Sequence, residues 1–190
     1  MQKKRVKTLL SDLEHNYSVV HVAGREYRVR YSLNALLCLE MTCKPIYDIL
    51  EIDYREWDIE TVLQLLRAAM CDLPENREAV CRRDWDMIVP DIATLGAELR
   101  AQDLTHIRAE IMDAILASLP AQADEEQQSS GAGEADEGHL YALAVRVVGM
   151  SEDEFWDSSY RELYTGIDKY MEVKGLKEMP SPVRMFDKAD

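Results

Sequence analysis

The sequence predicts an α+β fold that is mostly helical: an N-terminal β-hairpin packed with a multi-helix module, an acidic linker, and a small three-helix C-terminal module. Three observations predict it. Residues 17–31, YSVVHVAGREYRVRY, alternate with period two on both sides of Ala23-Gly24, the pattern of two strands joined by a tight turn. From Leu33 onward apolar side chains recur at helical spacing instead. Residues 121–138, AQADEEQQSSGAGEADEG, carry six acidic side chains, no basic ones and no apolar residue bulkier than alanine. Such a stretch cannot bury enough apolar surface to offset the entropy of ordering it, so it is expected to be a solvated, self-repelling tether. Structureless loops of this length are uncommon inside compact domains. The expected organisation is a first module over 1–120, a linker over 121–138, and a second module over 139–190.

Each element has a local reason. In the second strand Tyr27, Val29 and Tyr31 alternate with Glu26, Arg28 and Arg30, so one face is expected to pack and the other to be wet. Ser32 caps a helix whose stripe is Leu33, Leu36, Leu37 and Met41. Thr42-Cys43-Lys44 ends it, and Pro45 opens a short helix over 46–50. Asp58 is the N-cap of a helix over 59–71, with Val62, Leu65, Leu66 and Ala69 on one side and Leu73-Pro74 closing it. Residues 76–83 form a poorly patterned helix, and Pro90 ends one helix or opens another at Asp91. Leu104, Ile107, Ile111, Ile115 and Leu119 give the cleanest stripe in the chain, stopped by Pro120.

After the linker, residues 140–148 form a short apolar helix with Gly149 as its stop. Ser151 with Glu154, and Ser159 with Glu162, fit two capping boxes. They open a single turn over 152–156 and a helix over 160–173 carrying Leu163, Ile167, Tyr170 and Met171. Pro180 and Pro182 indicate an extended tail beyond Gly175. A core this small is marginal alone and often leans on a partner.

Charge removes several function classes. The net charge is -14, and it is distributed. Residues 1–120 hold 15 basic and 20 acidic side chains, and residues 139–190 hold 7 and 10. No module is basic, which argues against phosphate neutralisation as the binding force and against a nucleic-acid partner. A helix-turn-helix reading of the second module meets the same objection. Its last helix sets Arg161 and Lys169 against Glu162, Asp168 and Glu172. The basic start Lys3-Lys4-Arg5-Val6-Lys7 is followed by only a short apolar patch, so neither a secretory signal nor a membrane partner is expected. Cys38, Cys43, Cys71 and Cys81 lack C-x-x-C spacing and read as reduced core or helix-face residues.

No phosphate-binding, dinucleotide, nucleophile-elbow or H-E-x-x-H motif occurs. The acids Asp84/Asp86 and Asp53/Glu56/Asp58 read as helix starts and solvated faces. His21 and His106 have no acidic or nucleophilic partner at a telling spacing and are taken as structural. No catalytic residue, cofactor or metal ligand is therefore assigned, and the chain reads as a non-enzyme. The informative stretch is Val148-Gly-Met-Ser-Glu-Asp-Glu-Phe-Trp-Asp-Ser-Ser-Tyr-Arg-Glu-Leu163: a helix stop, a capped turn bearing Phe155 and Trp156, then a second capped helix. The aromatic pair can be the core of a tiny domain, part of a docking surface for another protein, or both.

This stretch, "G-M/L-S-x-x-E-F-W, polar residues, R-E-L", resembles the C-terminal part of phage tail assembly chaperones, including those of gene transfer agents. Where that family often has Thr-Pro before R-E-L, this chain has Ser158-Ser159-Tyr160. The opening G-R-E-Y-R-V-R-Y, followed by S-L-N-A-L-L-C-L-E, is similar to the "G-K-x-Y-x-L-R-F/Y, D/S-x-N-A-L" start of such chaperones in long-tailed phages. The likeness covers 17–50 and 140–170, and the middle only by helical character. It implies a protein of the host cytoplasm that coats the tape measure protein, keeps it soluble and recruits tail tube protein, and that is absent from the mature virion. Self-association along the tape measure, and joining of the modules by ribosomal frameshifting, belong to the same expectation. Under it, 1–120 would coat the client and 139–175 would recruit tube subunits. Phe155, Trp156, Arg161 and Leu163 would be the protein-binding candidates. The alternative from the residues is a small acidic regulatory or host-interaction adaptor.

The linker generates a direct expectation. Light proteolysis should cut between residues 121 and 138 and leave a folded fragment ending near Leu119. A single resistant core spanning 100–175 would refute the two-module organisation.

Overall fold

The computed structural model describes residues 17–120 and 137–175, without the side chains of Glu137 and His139. The basic start, residues 121–136 of the expected tether, and the Pro180-Pro182 tail lie outside the described residues. Those described fall into two compact units, the first ending at Leu119 and the second beginning at Pro120.

The first unit opens with β1 (Ser18–Val22) and β2 (Arg25–Val29), an antiparallel pair with Val20 opposite Tyr27 and Val22 opposite Arg25. Ala23 and Gly24 take φ of 51° and 80°, so both central positions of the turn are left-handed. This matches the right-handed twist of the flanking strands and favours glycine at the second position. Six α-helices follow: α1 (Leu33–Thr42), α2 (Ile46–Leu50), α3 (Ile59–Ala69), α4 (Arg77–Arg82), α5 (Ile92–Glu98) and α6 (Leu104–Ser118). Single 3₁₀ turns at Tyr54–Glu56, Pro74–Asn76, Trp85–Met87 and Ala101–Asp103 link them. The architecture is α+β and mostly helical, as the patterning predicts.

Caps set the helix starts. Ser32 Oγ accepts from the Ala35 N–H, Asp58 Oδ1 from Thr61 and Asp91 Oδ1 from Thr94, at 3.2, 2.7 and 2.7 Å. Each satisfies a backbone donor that the helix itself cannot. The poorly patterned segment resolves into the Pro74–Asn76 turn and α4, ended by Arg83 in the left-handed region at φ 55°. Asn76 explains why a weak pattern still holds its place. It is fully buried, donates from Nδ2 to the carbonyls of Met70 and Val89 (2.8 Å each), and accepts the Val89 N–H on Oδ1 at 2.9 Å.

Two expectations are corrected. The buried face of α1 is Leu33, Ala35, Cys38 and Leu39, and Met41 is exposed. The helix is apolar nearly all round, so periodicity alone does not choose the face. Arg30, expected on the wet face of β2, is buried. Its Nε donates to Asp72 Oδ2 at 3.1 Å, Ser32 Oγ donates to Asp72 Oδ1 at 2.8 Å, and the Arg30 N–H reaches the Ala69 carbonyl at 3.3 Å. A buried cation is tolerable only with such partners.

The core lies between the hairpin and helices α1, α3 and α6, with Tyr31, Leu39, Leu65, Leu66, Met70, Ile107, Ile111 and Ile115 all out of reach of water. Tyr31 donates its hydroxyl to the Leu65 carbonyl at 3.2 Å, and its N–H bonds Ser118 Oγ at 3.2 Å. Burial pushes that hydroxyl's pKa up. Trp57 is anchored by Nε1–H to the Ile49 carbonyl at 3.2 Å. Cys38 and Cys71 are buried, Cys43 and Cys81 exposed, and all four are free thiols.

The second unit contains α7 (Glu137–Tyr141), which runs on as a π-helix over Ala142–Val148, then α8 (Glu152–Trp156) and α9 (Tyr160–Val173). The expected helix over 140–148 is therefore present, but it begins at Glu137, within the stretch read as tether, and is wider than α for most of its length. Its end is closed by Gly149 at φ 87°, whose N–H and that of Met150 both reach the Ala144 carbonyl, at 3.0 and 3.1 Å.

The Asp72 cluster generates the test for this fold. Asp72→Ala should lower unfolding free energy by about 3–5 kcal/mol in urea denaturation, because it strands the Arg30 guanidinium in the interior. Asp72→Asn, which keeps an acceptor, should lose less. A loss under about 1 kcal/mol for the alanine variant would remove the cluster from the fold's essential contacts.

Candidate functional site

The structure sorts the four sequence-selected residues of the second unit into three environments. Phe155 and Leu163 are core, at 2% and 0% exposure, Trp156 is half-buried, and Arg161 is exposed. The core reading therefore holds for Phe155 and Leu163, while Trp156 and Arg161 keep surface that another protein could touch. Phe155 sits edge-on to Tyr141 at 5.1 Å between ring centroids and to Trp156 at 5.4 Å. These are the edge-to-face geometries that aromatic quadrupoles favour.

Two capping boxes position this surface. Ser151 Oγ accepts the Glu154 N–H at 3.2 Å while Glu154 Oε2 accepts the Ser151 N–H at 2.7 Å. Ser159 Oγ accepts the Glu162 N–H at 3.3 Å, and Glu162 Oε2 accepts the Ser159 N–H at 2.7 Å. Ser158 Oγ also donates to the Glu154 carbonyl at 2.6 Å. Ser159 thus builds the second cap, and Tyr160 following it is buried. Trp156 stands at the end of α8 between the two boxes, fixed on both sides by reciprocal hydrogen bonds. Exposed apolar Val147 and Val173 lie on the same unit.

In the first unit the exposed large apolar residues include Met41 at the end of α1, Tyr47 on α2, Ile52 after it and Ile59 at the start of α3. Of the acids read as helix starts and solvated faces, Asp53 and Asp58 accept cap hydrogen bonds from the Arg55 and Thr61 N–H at 3.0 and 2.7 Å, while Glu56, Asp84 and Asp86 are exposed and Asp84 makes no side-chain cap bond. Asp58 and Asp91 cap helices, and the hydrogen bonds they accept from Thr61 and Thr94 hold both carboxyls below the ordinary carboxylate pKa.

Sequence reasoning missed one cluster. His21 on β1 and His106 and Glu110 on α6 converge: Glu110 Oε1 lies 2.7 Å from His21 Nδ1 and 3.1 Å from His106 Nε2. Glu110 Oε2 accepts the His21 N–H at 2.8 Å. The hydrogen bond to Glu110 raises the His21 pKa above 6.5. The pair's contribution to folding is therefore present in acid and is lost as pH rises through the raised value. The spacing of His106 and Glu110, four apart on a helix, was a legible signal. The contribution of His21, 89 residues from Glu110 in sequence, was not.

No family model, curated protein or solved structure matches the chain.

The geometry of the aromatic turn separates two of its members by experiment. Phe155→Ala should remove about 3–5 kcal/mol and abolish the dispersed amide NMR signals of residues 137–175 in the full chain. Trp156→Ala, at a half-buried position, should leave those signals in place. Loss of the dispersed signals in the Trp156 variant would make that residue core as well.

Proposed function

We propose that this protein is a phage tail assembly chaperone, a binding protein without catalytic chemistry. Residues 1–120 keep a tape measure protein soluble, several copies lying along each client, and residues 139–175 recruit tail tube subunits. The reading rests on one observation: the Gly149–Leu163 box is a left-handed helix stop, a capped turn with a half-buried tryptophan and a second capped helix, in the order of the family it resembles. Holding a large aromatic side chain on a short rigid segment lowers the entropy lost on docking. The acidic stretch between the modules supports a reach role, raising the local concentration of tube protein without fixing its orientation.

Client contact is assigned to the first unit. A tape measure protein is a long amphipathic helix, and such a helix binds through its apolar face. Met41, Tyr47, Ile52 and Ile59 are exposed apolar side chains of suitable kind. The cell compartment follows from the role: tail assembly takes place in the host cytoplasm. Among the described residues no helix is long and apolar enough to cross a membrane.

Co-expression tests both halves. The chain should keep a tape measure protein soluble, in complexes holding many chaperone copies per client, and a truncation after Pro120 should retain that ability. Trp156→Ala in the full chain should weaken pull-down of tube protein by a hot-spot amount, about 2 kcal/mol or more. A chain that neither solubilises the client nor retains tube protein would favour the regulatory-adaptor alternative.

A further inference from the structure

We propose that His21, His106 and Glu110 form a binding site for one divalent transition-metal ion of the zinc class, joining strand β1 to helix α6. Two imidazoles and a carboxylate are a donor set suited to such ions. Three features make this more than a chance meeting of polar side chains. The donor atoms are already gathered, all within 4.8 Å of one another, with Glu110 Oε1 at 2.7 and 3.1 Å from the two ring nitrogens. In a tetrahedral site with metal–ligand bonds of about 2.0–2.1 Å, ligand atoms stand about 3.3 Å apart. The rings and carboxylate would need shifts of up to about 1.5 Å to admit the ion.

The second feature is orientation. Glu110 is mostly buried, with 16% of its side chain exposed, and its Oε2 is held by the His21 backbone N–H at 2.8 Å. That bond aims Oε1 into the space between the rings. On the far side of His21 the Glu26 carboxylate lies 3.7 Å from Nε2, placed to favour Nδ1 as the metal-binding nitrogen. Hydrogen-bonded or charged neighbours of this kind fix ligand orientation in metal sites. The third is access. The side chains of His21 and His106 are 47% and 69% exposed, so an ion can enter from solvent and its remaining coordination positions face outward. The imidazole rings lie nearly parallel, 28° between planes with centroids 6.4 Å apart, as two ligands approaching one point from adjacent elements can.

Binding would substitute one metal ion for the contacts of Glu110 Oε1 with the two rings, leaving the His21 N–H bond to Oε2 in place. It would cross-link positions far apart in sequence, the first strand and the last helix of the unit. All three ligands belong to the first unit, and the proposal does not depend on the chaperone reading.

The test uses the full chain, stripped with EDTA and dialysed, then titrated with Zn²⁺ by calorimetry and with Co²⁺ by absorption. One equivalent should bind, and Zn²⁺ should raise the melting temperature of the first unit. His106→Gln should weaken binding by about tenfold or more and abolish the thermal shift. Because His106 is so exposed, this variant should keep the wild-type circular dichroism without metal. Glu110→Gln provides the second variant, with the same loss expected. Stoichiometric binding that both variants retain would overturn the proposal. So would a strong thiolate-to-cobalt charge-transfer band, which would assign the ion to the exposed cysteines, or no binding at micromolar Zn²⁺.

Discussion

A two-stranded hairpin is marginal in water by itself, and in this protein its place is fixed by a buried charge. Arg30, immediately after β2, must leave water for the strand to dock, and it does so only because Asp72 is waiting beyond the end of α3. The same carboxylate accepts from Ser32, the N-cap of α1. One acidic side chain therefore sets the strand exit, the start of the next helix and the end of α3 relative to one another. A well-packed apolar substitute could match its stability. It could not fix three chain segments with two oxygens. Asn76 plays a comparable part nearby, tying the segment after α3 to the one before α5 through three hydrogen bonds.

How much of this was legible follows from where the information resides. Caps and breakers are local, so Ser32, Asp58, Ser151, Ser159, Pro120 and Gly149 could be read directly, whereas α4 and α6 begin without a side-chain cap. The hairpin turn was equally local. What escaped was set by contacts across the sequence. The alternation of β2 put Arg30 in water because nothing in its neighbourhood announces Asp72, 42 residues away. The α1 stripe pointed to Met41 because a helix apolar on most sides offers several faces, and only its neighbours decide among them. The convergence of His21 with His106 and Glu110 is a tertiary fact of the same kind. The π-helical geometry of Ala142–Val148 has no pattern signature in a run of small and branched apolar residues.

In the second unit the balance differs. Its described core is small, with Leu140, Ala144, Val148, Phe155, Leu163 and Ile167 buried in it. Terminal hydrogen bonds accordingly carry a larger share of the organisation. Two reciprocal caps between Ser151 and Glu162 leave α8 and its flanks little conformational freedom. The candidate site was legible in composition and order, while the division of labour between its aromatics was not. Phe155 and Trp156 are adjacent and chemically alike, and only packing against Tyr141 makes one interior and leaves the other partly outside.

The pairing of β1 with α6 also bears on how the chain is made. A nascent polypeptide emerges N-terminus first, and β1 is among the earliest described segments to leave the ribosome. Its partners Glu110 and the apolar side of α6 emerge last in that unit. Until they do, Val20 and Val22 have no complete surface to lie on, and the hairpin must wait in an unfinished state. Contacts that span so much sequence slow folding. The unit can therefore close only once Ser118 has left the exit tunnel, when the acidic stretch beyond Pro120 is the part still inside it.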